Sequence, residues 1–191
     1  MCGIFVYNSN GVKISGNTVE GYAESVWGIT VIDGNHTSIL NNEVSSYGAG
    51  IYASDKKGIV KGNNTNNCGI GVLLCTVPAW LTHPNGNSMQ APDHANKWVV
   101  RDNEAYNNTW GILVIDGAYR NFVYQNAAGN NGLYDIECTG ETDRFGILTP
   151  TSKQNRVVSI GQYNNLIIKD CGVKNEILGG QLVNNSEDPC F

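Results

Sequence analysis

Residues 28–72 read GITVIDGNHTSILNNEVSSYGAGIYASDKKGIVKGNNTNNCGIGV. One unit recurs through them: a glycine, an aliphatic residue, any residue, then a second apolar one. It appears as Gly28-Ile29-Thr30-Val31, Gly50-Ile51-Tyr52-Ala53 and Gly69-Ile70-Gly71-Val72. Outside this stretch it returns as Gly3-Ile4-Phe5-Val6 and Gly111-Ile112-Leu113-Val114. Gly132-Leu133-Tyr134-Asp135-Ile136 reads as a sixth copy, its frame open by one residue. The glycines are spaced 25, 22, 19, 42 and 21 residues apart. The 42 reads as one turn plus an insertion of roughly 20 residues.

A second unit lies between these and ends in asparagine. Its copies end at Asn17, Asn42, Asn63, Asn103 and Asn126. Ile or Val stands three residues before each Asn, and Val19, Val44, Thr65, Ala105 and Ala128 stand two after. Each turn therefore carries short strands of period two, separated by Gly/Asn bends. Such a unit cannot bury its apolar face alone, but stacked on copies of itself it builds one continuous core. The expectation is an all-β parallel solenoid of about seven to eight turns, with rungs ~4.8 Å apart. Asn accounts for 26 of the 191 residues. Two physical roles explain that abundance: Asn tolerates left-handed bends, and stacked Asn amides hydrogen-bond along a ladder.

Composition excludes other classes. The 191 residues suffice for one domain and are short for two. Charged residues are only 15%, and Gly, Asn and β-branched residues are poor helix formers. A hydrophobic content of 41% with a net charge of −5 fits a folded chain, not a disordered one. The acidic balance argues against a nucleic-acid binder that works by phosphate neutralisation. The longest apolar stretch, residues 69–81, is too short and too broken by Gly and Pro to span a bilayer. Met1-Cys2-Gly3-Ile4 shows no signal-peptide pattern.

The Gly-Ile-x-Val and Ile-x-x-Asn units resemble the right-handed parallel β-helix repeats of pectate-lyase-like proteins, and most closely the NosD-like group of carbohydrate-binding proteins and sugar hydrolases. The resemblance runs from Gly3 to about Ile177. It implies a right-handed parallel β-helix as a single domain over 1–191, with repeat turns over about 3–137, a loop insertion over about 75–97, and irregular last turns with a cap over about 138–191. It also implies an extracellular or cell-surface protein that binds or acts on a polysaccharide as a lyase, hydrolase or epimerase. The fold hosts inert scaffolds too, so function must be argued from a site. The alternative is a non-catalytic structural module of a larger surface or assembly protein.

Five residues beyond each repeat glycine, the sequence gives Asn8, Asp33, Asp55, Leu74, Asp116 and Glu137. Stacked rungs would put Asp33 and Asp55 ~4.8 Å apart and Asp55 and Asp116 ~9.6 Å apart. Carboxyl pairs at ~5–5.5 Å or ~6.5–9.5 Å suit retaining or inverting glycoside hydrolysis. The same carboxylates, with backbone carbonyls, would suit Ca²⁺. Asp33-Gly34 and Asp116-Gly117 are equally ordinary turn dipeptides. The insertion leaves the repeat beside this column and carries Trp80, His83 and His94. Trp80 is a candidate for stacking on sugar, and His83 and His94 for a general base; the insertion would otherwise be a simple apolar lid. Lys61 and Arg101 occupy equivalent positions two before a ladder Asn, where a cation would neutralise an acidic sugar or simply be solvated.

Alternation on the first strand of each turn points Phe5/Tyr7, Thr30/Ile32, Tyr52/Ser54, Gly71/Leu73 and Leu113/Ile115 outward. That strip needs a cover: the insertion, a second chain, or sugar. Cys2 and Cys68 read as buried thiols. Cys138, Cys171 and Cys190 lie near the C-terminus, with Cys138–Cys171 the favoured disulfide. The absence of Cys-x-x-Cys, with only two Met, argues against a soft-metal site and direct copper handling. The N-terminal repeat begins without a cap, so its first rung is expected to be uncovered and open to self-association.

Overall fold

The computed structural model describes residues 2–22, 25–75, 95–115, 117–139, 152–163 and 165–183. These form a parallel β-helix of three sheets. The first sheet has eight strands: Cys2–Tyr7, Trp27–Asn35, Ala49–Lys56, Ile70–Leu74, Trp110–Val114, Ile136–Cys138, Ile167–Asp170 and Gln181–Leu182. The second has seven, running from Lys13–Ser15 through Ile59–Lys61, Val99–Arg101 and Phe122–Tyr124 to Arg156–Ser159 and Glu176–Gly179, with Ser38–Leu40 after the first. The third has five: Thr18–Glu20, Glu43–Ser45, Asn64–Asn66, Glu104–Tyr106 and Ala127–Gly129. In every sheet the spatial order follows the chain order, and every pairing is parallel.

The core is a set of columns. Ile29, Ile51, Val72, Ile112, Ile136 and Ile168 pair rung to rung, and none is more than 2% exposed. Val44, Thr65 and Ala105 fill the equivalent interior column of the third sheet, as their place after the ladder Asn predicts. Ile4 and Val6, in the edge strand, are only half-buried, and Phe5 is exposed. The solenoid does not stop at residue 138. Two further rungs continue it to Leu182, and in one of them a 3₁₀ turn, Gly161–Tyr163, follows the second-sheet strand.

Two frames differ from the sequence reading. The fourth copy of the first unit is Gly71-Val72-Leu73-Leu74, because Val72 pairs with Ile51 and Ile112. The sixth is Asp135-Ile136-Glu137-Cys138, because Ile136 pairs with Ile112. The physical reason is a backbone contact. A Cβ on Gly28, Gly50 or Gly71 would lie 2.5, 2.9 or 2.6 Å from the carbonyl oxygen of the next rung's glycine. A Cβ on Gly69 would also meet a carbonyl, that of Gly48, so the local string Gly-Ile-Gly-Val is consistent with either frame. Asp135 ends the glycine column and uses its side chain there. It accepts from Asn131 Nδ2 at 2.7 Å and from the Ile167 N–H at 2.9 Å.

The asparagine ladder forms. Asn17, Asn42, Asn63 and Asn103 each donate Nδ2 to the next Oδ1, ending at Asn126, at 2.8–3.0 Å. The same Oδ1 atoms accept the backbone N–H of the rung before. Nδ2 also caps a backbone carbonyl one rung back, as from Asn63 to Ile39 at 2.9 Å. The ladder residues are not the left-handed ones. That role falls to the residue before each, Gly16, Asn41, Gly62, Asp102 and Gln125. A second ladder, Asn121–Asn155–Asn175, holds the later turns at the corner between the first and second sheets.

Asn63→Ala would orphan the buried Asn42 backbone N–H and one proton of the Asn42 side-chain amide, whose other proton keeps the Ile14 carbonyl. Each orphan costs roughly 1–3 kcal/mol, so we expect Asn63→Ala to lose about 3 kcal/mol or more in urea unfolding. Asn64→Ala, on the outward face of the next strand, should change stability by less than about 0.5 kcal/mol. Equal small losses at both positions would contradict the ladder's structural role.

Candidate functional site

The acidic series lies where first-sheet strands end. Register runs Tyr7–Ile32 and Ile32–Ser54, which places Asp33 and Asp55 on adjacent rungs. A bulge follows, since Asn35 rather than Gly34 pairs with Lys56. Asp33 itself is left-handed, with φ of 55°. Asp116, and with it Trp80, His83 and His94, lies outside the described residues.

Glu137 does not belong to that series. It pairs with Leu113 and Lys169, in the outward column of the first sheet. Counting from Gly132 misplaced it because Asp135, not glycine, holds the repeat position. Its carboxylate accepts Trp110 Nε1–H at 2.8 Å and stands 3.9 Å from Lys169 Nζ, with both acid and amine only 10% exposed. The ammonium also lies 5.2 Å from the Tyr134 ring centre. This arrangement is a buried polar clamp between rungs.

The outward strip is not a free surface. Ile32, Tyr52, Leu73, Cys75, Leu113 and Ile115 form a second buried cluster, with Trp27 and Trp110 packed against it. The strip is thus closed within one chain, and it offers no ground for self-association. In the fourth rung the outward pair is Leu73/Cys75, in place of Gly71/Leu73, which follows from the corrected frame.

Lys61 and Arg101 meet on the outer face of the second sheet, directly paired. The same register carries on to Tyr124 and Val158, and the parallel column runs Ile59, Val99, Phe122, Arg156. Phe122 and Tyr124 therefore project from this face between guanidinium groups. Their ring centres lie 4.3 Å apart, Arg101 sits 6.0 Å from the Tyr124 ring, and Arg156 sits 5.5 Å from the Phe122 ring. Both arginines have carboxylate partners: Arg101 with Asp102 at 2.8 Å and Arg156 with Glu176 at 3.1 Å. Phe122 and Tyr124 stand two rungs on from Lys61, a place that the Asn126 unit marks in the sequence. The second sheet's face is separated from Asp33 and Asp55 by the corner between the sheets.

The model of the family described as periplasmic copper-binding protein (NosD) matches residues 1–135, the larger part of the chain. The chain belongs to the NosD family. No curated protein matches its sequence. Among solved structures, alginate lyase from Paenibacillus sp. str. FPU-7 is similar in fold, with a TM-score of 0.52 and 12% identity over 95% of this chain and 76% of that one. No helix among the described residues is long and apolar enough to cross a membrane.

The NosD description raises copper, so the donor set matters. Cys68 and Cys138 are buried free thiols, and Cys75 is buried with its sulfur 3.4 Å from the Tyr52 hydroxyl. Burial raises the pKa of Cys68 and, most strongly, of Cys138. His36 is exposed at a corner. Among the described residues no three His, Cys, Asp or Glu side chains gather, and these residues do not fit a copper site. The free Cys138 also excludes the expected Cys138–Cys171 bridge, and no disulfide joins two described residues.

Removing one partner of a buried ion pair leaves the other uncompensated, at roughly 3–5 kcal/mol. Glu137→Leu should accordingly destabilise the protein by about 3 kcal/mol, and the double variant Glu137→Leu/Lys169→Met should recover most of that loss in thermal unfolding. Additive losses would show that the pair is not coupled.

For Cys138, the raised pKa sets a direction with pH. The folded state holds the proton that the unfolded thiol loses near its ordinary value of 9.0. Its contribution is full below that pH and falls as pH rises above it. The Cys138 peptide should resist alkylation in the native protein and react on unfolding, as read by mass spectrometry. Rapid native labelling would contradict the burial.

Proposed function

We propose that this NosD-family chain is a carbohydrate-binding β-helix, extracellular or periplasmic, that holds a polysaccharide on the outer face of its second sheet. The observation that carries the reading is the pair of rings, Phe122 and Tyr124, flanked by Arg101 and Arg156. Sugar rings present C–H faces that pack on aromatics, and hydroxyls that accept from guanidinium N–H groups. Lys61 extends the polar edge of the same face by one rung past Arg101. The fold likeness to a lyase supports a solenoid as a suitable platform and no more, since fold does not fix activity.

Asp33, Asp55 and Asp116 are the carboxylates we propose for Ca²⁺ or for acid–base chemistry on the bound chain, and Trp80, His83 and His94 of the insertion are the residues we propose for stacking on sugar and for a general base. Support comes from the adjacent rungs of Asp33 and Asp55. Lyase, hydrolase or epimerase action would all draw on this series.

A polysaccharide affinity screen with and without Ca²⁺ tests the reading. Wild type should bind at least one glycan, and Phe122→Ala/Tyr124→Ala should weaken it at least about tenfold, as loss of two stacking rings implies. Asp33→Asn/Asp55→Asn/Asp116→Asn should abolish any Ca²⁺ dependence or turnover while leaving the fold intact by circular dichroism. No glycan bound under any condition would overturn the proposal in favour of a structural module.

A further inference from the structure

Each rung turns through left-handed residues at its corners. The corner leading into the third sheet uses Gly16, Asn41, Gly62, Asp102 and Gln125, and the corner after the third sheet uses Ser46, Asn67, Asn107 and Asn130. These are mostly the residue types that adopt positive φ at little cost. The corner leading into the second sheet differs. After Gly11 it uses His36, Lys57, Lys97, Arg120, Gln154 and Lys174, with φ between 54° and 58°. Four of these are long cations in a conformation their residue types seldom adopt, and no left-handed residue at the other two corners is a cation.

The register makes this a line. The residues just before the left-handed positions bridge in sequence, Lys56–Asn96–Tyr119–Lys153–Val173. Two more cations, Lys56 and Lys153, are thereby added to the same edge. Six of the chain's 12 Lys and Arg lie along it, in a protein of net charge −5. Glu20, Glu43 and Glu104 project instead from the third sheet. The local counter-charge among the described side chains is Asp33 and Asp170, where first-sheet strands end, and Asp170 accepts from the Gly172 N–H at 3.0 Å and from Asn175 Nδ2 at 2.8 Å. Even so, among the described side chains no carboxylate pairs with Lys57, Lys97, Arg120, Lys153 or Lys174, whereas Arg101 and Arg156 on the neighbouring face are both paired. At the C-terminal end the edge opens into a groove of about 500 Å³ lined by Tyr119, Arg120, Lys153, Gln154, Val173 and Lys174. Arg120 and Lys153 stand 5.9 and 6.0 Å from the Tyr119 ring centre, which holds them over the groove wall.

We propose that this edge is a rail for a linear anionic polysaccharide, carboxylated or sulfated, lying along the solenoid axis so that successive sugar charges meet successive rungs. The proposal rests on the carbohydrate reading above and narrows its substrate to an acidic glycan. Unpaired cations spaced by one rung, ~4.8 Å, match a polymer that carries one charge per sugar. A small anion would need a cluster and not a line. The edge borders the Phe122/Tyr124 face, so a chain held by its charges presents its rings to those aromatics.

The test is a binding titration of the full chain against alginate, dextran sulfate, neutral dextran and duplex DNA, at low and at physiological salt. The variant Lys97→Asn/Arg120→Asn/Lys174→Asn removes three charges with a residue type that accepts left-handed backbone. We expect wild type to bind an acidic glycan in a salt-weakened manner and this variant to lose about tenfold or more, since exposed cations contribute modestly one by one. Gln154→Lys fills the neutral rung between Arg120 and Lys174 and should tighten binding, a gain that misfolding cannot imitate. Acidic-glycan binding unchanged in both variants overturns the rail. Binding of neutral dextran alone overturns the acidic class and leaves the carbohydrate reading standing. Binding of DNA without acidic glycan also overturns the proposal. Binding to none of the four overturns the rail, and the broader screen then decides the carbohydrate reading separately.

Discussion

The structure depends on one buried interaction, the side-chain amide that accepts two N–H groups from one rung and donates to the next. Asn17 through Asn126 repeat it without a gap. An amide in the core is costly unless every donor and acceptor is met. Meeting them requires the same residue at the same place in each rung, so the ladder forces register. The glycine column adds a second constraint. It lets backbones approach where a Cβ would strike a carbonyl of the next turn. With register fixed by these two columns, any residue type repeated in the sequence becomes a line along the molecule.

That conversion of period into line is how this scaffold makes a surface. Aliphatic residues become the core, a second apolar line is closed over within the chain, and cations become an edge. The rings of Phe122 and Tyr124 belong to one rung only, and their neighbours supply charge. A rigid rod with a charged edge beside an aromatic face is suited to an extended polymer, and poorly suited to enclosing a small molecule.

Much of the fold was legible because the two units at 28–72 carry their own register. The ladder asparagines, the small residues two positions on, and the pairing of Lys61 with Arg101 all followed from spacing. Sequence and structure part where two solutions share a string. Gly69-Ile70-Gly71-Val72 supports both frames, and Asp135 replaces glycine by using its carboxylate as a local cap. Spacing alone therefore puts Glu137 in the acidic series, while its environment is that of a clamp on Trp110 and Lys169. The basic edge was hidden for a different reason. Its residues sit at bends, not in strands, and they vary among His, Lys, Arg and Gln, so no single residue type marks the column as Asn marks the ladder. The apolar strip faces outward as strand alternation indicates, and spacing alone does not say what covers it.

We propose as the glycan-binding surface the side of the solenoid formed by the second sheet and its leading corner. Hydroxyl-radical footprinting with and without the glycan found in the affinity screen addresses this directly. We expect protection of Tyr119, Phe122 and Tyr124, with Tyr22 and Tyr106, on the other side of the solenoid, unchanged. Protection of Tyr22 or Tyr106 with Phe122 and Tyr124 unaltered would contradict it.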